Sequence, residues 1–163
     1  MDKIASFQVD HSRLKPGIYI SRKDKVHNDM VTTIDIRVKA PNVEPAMSPE
    51  EAHTIEHLGA TYLRNLPAWK DRIIYFGPMG CLTGFYLIVA EDCKVATPEY
   101  MKLCGVVMEM FRFISSFEGE IPGAKPDECG NWRLHDLSAA KKLAGEMVEK
   151  GKAGLLEVEY PSK

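Results

Sequence analysis

Apolar and polar side chains alternate most clearly between Val31 and Val38, where Val-Thr-Thr-Ile-Asp-Ile-Arg-Val repeats with a period of two. That period puts alternate side chains on opposite faces of an extended chain, so this run is a half-buried strand. Shorter β-rich runs occupy residues 17–21, 72–76 and 84–90. The last two flank Gly77-Pro78-Met79-Gly80, a strong turn signal, and together predict a hairpin with Cys81 where the turn enters the second strand. Elsewhere the period becomes helical. Ser48-Pro49-Glu50-Glu51 supplies an N-cap serine, a proline at the first helical position and a capping-box glutamate. This helix is expected to reach about Asn65 before Pro67 stops it, with an apolar stripe of Ala52, Ile55, Gly59, Tyr62 and Leu66. Thr97-Pro98-Glu99 opens a second helix through about Ile114, and Asp136 or Ser138 a third that ends near Gly151. Strand, strand, helix, hairpin, helix, loop, helix predicts an α+β fold, an antiparallel sheet with helices packed on one face. Segments 40–45 and 118–126, rich in proline or glycine, read as loops rather than boundaries, so residues 1–163 are expected to form a single domain.

Composition narrows the function classes. Hydrophobic content of 45% and charged content of 27% suit a soluble globular protein. A net charge of −2 gives no electrostatic case for nucleic acid or an anionic membrane. No apolar run approaches the roughly 20 residues that span a bilayer, and Met1-Asp2-Lys3-Ile4-Ala5 has no signal-peptide core, so a cytoplasmic location is expected. Four cysteines without a C-x-x-C pair read as thiols, ligands or nucleophiles rather than as a disulfide framework.

The chemistry concentrates in His53-Thr54-Ile55-Glu56-His57. On a helix, four residues advance about 400°, so both imidazoles share a face. Glu56 flanks them without having to ligate. The order is H-x-x-E-H, the inverse of the common metalloprotease motif, and it leaves the reaction open. Two polar rings and a carboxylate beside a core stripe are costly unless they do something, which favours a metal. A catalytic site needs a third protein ligand, for which His11, His27, His135 and the cysteines are available. Cys129 lies in a loop beside Gly130 and can reach a metal, although a free surface thiol would look the same. Cys93 follows Glu91-Asp92, an acidic setting that disfavours thiolate, and Cys104 lies in an apolar helical run and reads as packing. Cys81, at a tight turn, can project into a cleft or be a buried strand cysteine.

Taken together, His53-Thr54-Ile55-Glu56-His57, Pro78-Met79-Gly80-Cys81-Leu82-Thr83-Gly84-Phe85-Tyr86, and Cys129-Gly130 followed by Leu134-His135-Asp136-Leu137 resemble the S-ribosylhomocysteine lyase (LuxS) family. Ser6-Phe7-Gln8-Val9-Asp10-His11 and Ile34-Asp35-Ile36-Arg37 fit the same pattern, so the likeness covers nearly the whole chain. The resemblance implies one divalent metal per subunit on His53, His57 and Cys129, natively iron(II) and replaceable by zinc or cobalt. It implies Cys81 and Glu56 as the acid–base pair and Ser6, His11 and Arg37 as substrate-binding residues. It implies a homodimer with active sites at the subunit interface. The implied reaction converts S-ribosylhomocysteine to homocysteine and 4,5-dihydroxy-2,3-pentanedione, precursor of the quorum-sensing signal autoinducer-2 and a by-product route of the methyl cycle. One departure stands out: Tyr75-Phe76-Gly77 replaces an aspartate and a serine common in the family, so sugar recognition is expected to differ, with Asp35 or Tyr75 compensating in part. Two other readings compete. A small metallopeptidase would use Glu56 to activate water, and a non-catalytic metal-binding domain would leave Cys81 as packing only.

Overall fold

The computed structural model describes residues 7–161. Its elements follow the predicted order: β1 (Gly17–Val26), β2 (Asp29–Arg37), α1 (Pro49–Arg64), β3 (Ile73–Pro78), β4 (Gly84–Val89), α2 (Pro98–Ser115) and α3 (Leu137–Lys152). The strands form one antiparallel sheet in the order β1-β2-β4-β3. Each helix starts where a short polar side chain caps it. Ser48 Oγ accepts from Glu51 N at 3.1 Å, Thr97 Oγ1 from Tyr100 N at 3.4 Å, and Asp136 Oδ1 from Ala139 N at 2.9 Å. The third cap decides between Asp136 and Ser138. Among the described residues, no helix is long and apolar enough to cross a membrane.

The core lies on one face of the sheet. Ile34 and Ile36 of β2 and Phe85, Leu87 and Val89 of β4 pack against Ile55, Leu58 and Leu63 of α1, Leu103, Val107 and Phe111 of α2, and Leu143 and Met147 of α3. Burying each such side chain contributes roughly 1.5–3 kcal/mol. The buried arc of α1 is wider than its predicted stripe: Thr54, Leu58 and Leu63 are fully buried, whereas Tyr62 and Leu66 are only partly so. The cause is that α1 touches both other helices and β3. At Gly59 a Cβ would run into the Phe76 ring of β3, so glycine sets how closely this helix approaches the sheet.

Two sequence expectations needed adjustment. β1 runs on past residue 21 to Val26, pairing with β2 after a register shift between Ile20 and Arg22. Its second half is mostly charged and partly exposed, so backbone pairing holds it without an apolar alternation. Pro78 belongs to β3 and not to the turn, which an edge strand tolerates because proline lacks only an outward donor. The turn therefore falls later, with Leu82 N donating to Met79 O and Met79 N to Gly84 O, both at 2.9 Å. Cys81 is exposed within it, ahead of the second strand.

The other face of the sheet carries Tyr19, Asp35 and Arg37, all buried, with Tyr86 alongside. The chain after α3 returns across β1 here. Ile18 N donates to Glu157 O at 2.9 Å and Glu157 N to Pro16 O at 3.2 Å. Gly17 permits that approach, since a Cβ would collide with the Glu157 carbonyl. Tyr160 then stacks on Tyr19, with ring centroids 4.6 Å apart and planes within 5°.

Candidate functional site

Helix α1 brings His53 and His57 into an edge-to-face pair, centroids 4.5 Å apart. Each ring is fixed from behind. His53 Nδ1 donates to Leu134 O at 2.8 Å, and His57 Nδ1 to Pro122 O at 2.7 Å. A carbonyl only accepts, so each Nδ1 carries a proton, and in the neutral tautomer Nε2 is the nitrogen that can ligate. That is the outer hydrogen bonding which orients metal-ligating imidazoles. Gly123 lets the loop come this close: its φ is +74°, and a Cβ there would lie 3.1 Å from His57 Nδ1. Cys129 Sγ lies 3.5 Å from His53 Nε2 and accepts from Asn131 N at 3.4 Å.

His135 completes the cluster. It stacks on His53 at 4.3 Å, planes 14° apart, and meets His57 edge-on at 4.8 Å. Thr54 Oγ1 gives its proton to Glu50 O at 2.8 Å and accepts from Asp136 N at 2.9 Å. Toward His135 Nδ1, 3.2 Å away, it can therefore only accept. The proton of His135 is on Nδ1, and its buried Nε2 has no hydrogen-bond partner. Burial, then the neighbouring His53 and His57, push its pKa down to about 4, so the ring is neutral near pH 7. Ligand atoms of the three histidines lie within 4.8 Å of one another, and the group can hold a metal ion.

A second cluster surrounds Cys81. Its sulfur lies 3.1 Å from Thr83 Oγ1 and 3.6 Å from Arg37 Nη1. Leu82 between them takes φ 55°, a turn that puts the cysteine and the threonine face to face. Arg37 Nη1 donates to Thr83 Oγ1 at 2.6 Å, so the threonine proton is free for the sulfur. Arg37 Nη2 forms a buried ion pair with Asp35 Oδ2 at 2.6 Å, and the Tyr160 hydroxyl donates to the same oxygen at 3.0 Å. Burial alone would push the Cys81 thiol up. The bonds from Thr83 and the Arg37 charge together outweigh it and hold its pKa below the ordinary thiol range. Cys93 and Cys104 go the other way. Both are pushed up, chiefly by burial, and the acidic Glu91 beside Cys93 is the smaller cause.

The expected site residues thus fall into groups. His53, His57 and Cys129 converge, as do Cys81 and Arg37. His11 joins Val9, Ser21, Asp35, Arg37, Tyr86 and Tyr160 around a cavity of about 20 Å³, room for one water. Ser6 lies outside the described residues. Glu56 sits beside Tyr75, where its charge adds to burial in raising the phenol's pKa. The Tyr75 hydroxyl occupies the space a side chain at Gly77 would take, so the unusual tyrosine and glycine form one feature. Among the described residues no hydrogen bond links the histidine cluster to the Cys81 cluster. Two larger cavities, each about 540 Å³, contain none of the expected residues. Thr54, Thr83 and Tyr160 were not foreseen from sequence. Thr83 had a usable signal, two residues after Cys81 in one turn; Tyr160 had none.

An α+β frame thus carries a helix-borne histidine pair and, apart from it, a cysteine whose pKa is lowered. The chain belongs to the LuxS family, described as S-Ribosylhomocysteinase (LuxS), which matches residues 4–157. A protein from Desulfotalea psychrophila named S-ribosylhomocysteine lyase is 49% identical over 164 residues, covering 99% of this chain and 100% of the relative. Proteins of the same name from Phocaeicola vulgatus and Borreliella burgdorferi are 56% and 52% identical, covering 86% and 91% of this chain and 84% and 92% of the relatives. These relatives are named as lyases, which removes the main attraction of the peptidase reading.

Proposed function

We propose that this chain, acting as one domain in the cytoplasm, is a metal-dependent S-ribosylhomocysteine lyase that releases homocysteine and 4,5-dihydroxy-2,3-pentanedione. The observation that carries the proposal is the Cys81 thiol, its pKa lowered by Thr83 and Arg37, in the same chain as two helix-borne histidines held from behind through Nδ1. Peptide hydrolysis has no use for such a thiol.

His53, His57 and Cys129 hold one divalent ion in this reading, iron(II) natively, with zinc or cobalt able to replace it. His135 suits the third position less well than Cys129. A ring nitrogen binds metal in its own plane, and two stacked, nearly parallel rings aim their lone pairs side by side instead of at one point. An ion bound there supplies Lewis-acid polarisation of the sugar carbonyl.

The protein side chains move the protons. Shifting the carbonyl along the sugar requires successive C–H proton transfers, which the Cys81 thiolate takes and returns. Glu56 serves the hydroxyl protons and the final step, in which elimination expels homocysteine once the carbonyl is β to the sulfur. Arg37, His11 and Ser6 bind substrate, Arg37 through donors fixed by Asp35. A homodimer with the sites at its interface accounts for two clusters that do not bond to each other within one chain. The edge strand β3 supports this, with Ile74 and Tyr75 46% and 42% exposed.

The test is metal content together with homocysteine release from S-ribosylhomocysteine, for wild type, Cys129→Ala and Cys81→Ala. Cys129→Ala is expected to lose metal and activity together, and Cys81→Ala to keep metal and lose activity. Undiminished thiol release by Cys81→Ala, or peptide hydrolysis by the wild type, would sink the proposal.

A further inference from the structure

Tyr160 lies beyond the residues 4–157 that the family matches, yet its hydroxyl belongs to the same hydrogen-bond chain as Cys81. The chain runs from Tyr160 to Asp35 Oδ2 at 3.0 Å, from there to Arg37 Nη2 at 2.6 Å, and from Arg37 Nη1 to the sulfur at 3.6 Å. The Asp35–Arg37 pair is not a self-locking fork. Asp35 Oδ1 and Arg37 Nε are both buried without a hydrogen-bond partner, so the pair meets through Oδ2 alone. A two-point guanidinium–carboxylate contact fixes its own geometry; a one-point contact leaves a rotation to be fixed by something else. Tyr160 is placed to fix it. Its ring stacks on Tyr19, its segment is bonded to β1 through Glu157, and burial with the nearby Asp35 keeps its hydroxyl protonated as a donor.

We infer that Tyr160 is a positioning residue for the Cys81 thiolate: it holds Asp35 Oδ2, and thereby the angle at which Arg37 meets the sulfur. The inference rests on the role given to Cys81 above. Losing the hydroxyl leaves Asp35 free to draw Arg37 fully to itself and away from the sulfur. The other titratable groups facing this network are Tyr19 and Arg22 on β1, Tyr86 on β4, His11 before β1 and Glu157 after α3; Tyr160→Phe leaves them all in place.

The experiment uses the full chain, metal-loaded, as wild type and Tyr160→Phe, which keeps the ring stack. The rate of Cys81 alkylation by iodoacetamide is followed against pH by mass spectrometry of its peptide, with turnover measured in parallel. The alkylation midpoint is expected to rise by about 0.5–1 pH unit, the loss of one ordinary hydrogen bond. kcat is expected to fall several-fold, with a smaller rise in KM because Arg37 also contacts substrate in the proposed reaction. Tyr160→Ala, which also removes the stack, is expected to shift the midpoint at least as far. A Tyr160→Phe midpoint that overlays the wild type overturns the inference. A raised midpoint with unchanged turnover upholds the positioning and instead overturns Cys81 as the proton-transfer group.

Discussion

Gly123→Ala tests whether the loop behind His57 sets metal affinity. Gly123 has φ +74°, and a Cβ would lie 3.1 Å from His57 Nδ1 and 3.3 Å from Cε1. The left-handed backbone costs alanine roughly 1–2 kcal/mol, offset in part by the stiffer unfolded chain. The net loss of about 1 kcal/mol lowers Tm by about 2–4 °C for a chain of this size. The contact adds a second effect, because either the ring or the Pro122 carbonyl must give way, and their 2.7 Å hydrogen bond is the outer support of a proposed ligand. Disturbing such a support typically lowers metal affinity about 10- to 100-fold. Gly154→Ala is the matched control, with φ +67° and nothing within 4 Å of its added Cβ. Thermal unfolding of the metal-free proteins should drop similarly for both variants. Competition titration of cobalt(II) against a chelator should weaken only for Gly123→Ala. Equal weakening in both, or wild-type affinity in Gly123→Ala at a comparable Tm loss, would refute the reasoning.

Thr83→Val removes the hydroxyl bonded to Cys81 at 3.1 Å. Because the folded protein lowers the pKa of Cys81, its thiolate persists to lower pH, and the variant should move both the alkylation midpoint and the acid limb of activity to higher pH. The shift is about 0.5–1 unit, kept small because the sulfur is exposed. Cys129→Ser should abolish the near-ultraviolet thiolate-to-metal absorption of the cobalt(II) form, and a spectrum unchanged from wild type would exclude the sulfur as ligand. Gly17→Ala forces a Cβ against the Glu157 carbonyl and the Tyr19 ring. It should destabilise the protein by roughly 1–3 kcal/mol and speed hydrogen exchange at Ile18 and Glu157.

Much of the fold was legible because its signals are local. The caps at Ser48, Thr97 and Asp136 and the period of β2 each declare themselves within a few residues. The second half of β1 escaped because backbone pairing sustains it where the side chains are charged. The turn position was misjudged because Pro78 resembles a turn residue until β3 is known to be an edge. In the site, His53 and His57 were readable from spacing, since one helix carries both. The placement of Cys129 near them, and of Arg37 near Cys81, depended on likeness to a family, because contacts across 76 and 44 residues leave no local pattern. Tyr160 follows from nothing local; its role exists only once the chain returns over Gly17.

Thr54, buried in α1, ties the histidine cluster to the order in which the chain folds. Its one hydroxyl meets Glu50 in its own helix and both His135 and Asp136 at the start of α3. The carbonyls that aim His53 and His57 likewise come from 81 and 65 residues away. An isolated α1 therefore presents two loosely held imidazoles, a weak site, until the long loop before α3 has closed. For the metal site proposed above, capture is then a late event that follows completed tertiary structure, so a partly folded or newly made chain would compete poorly for the ion with a finished one.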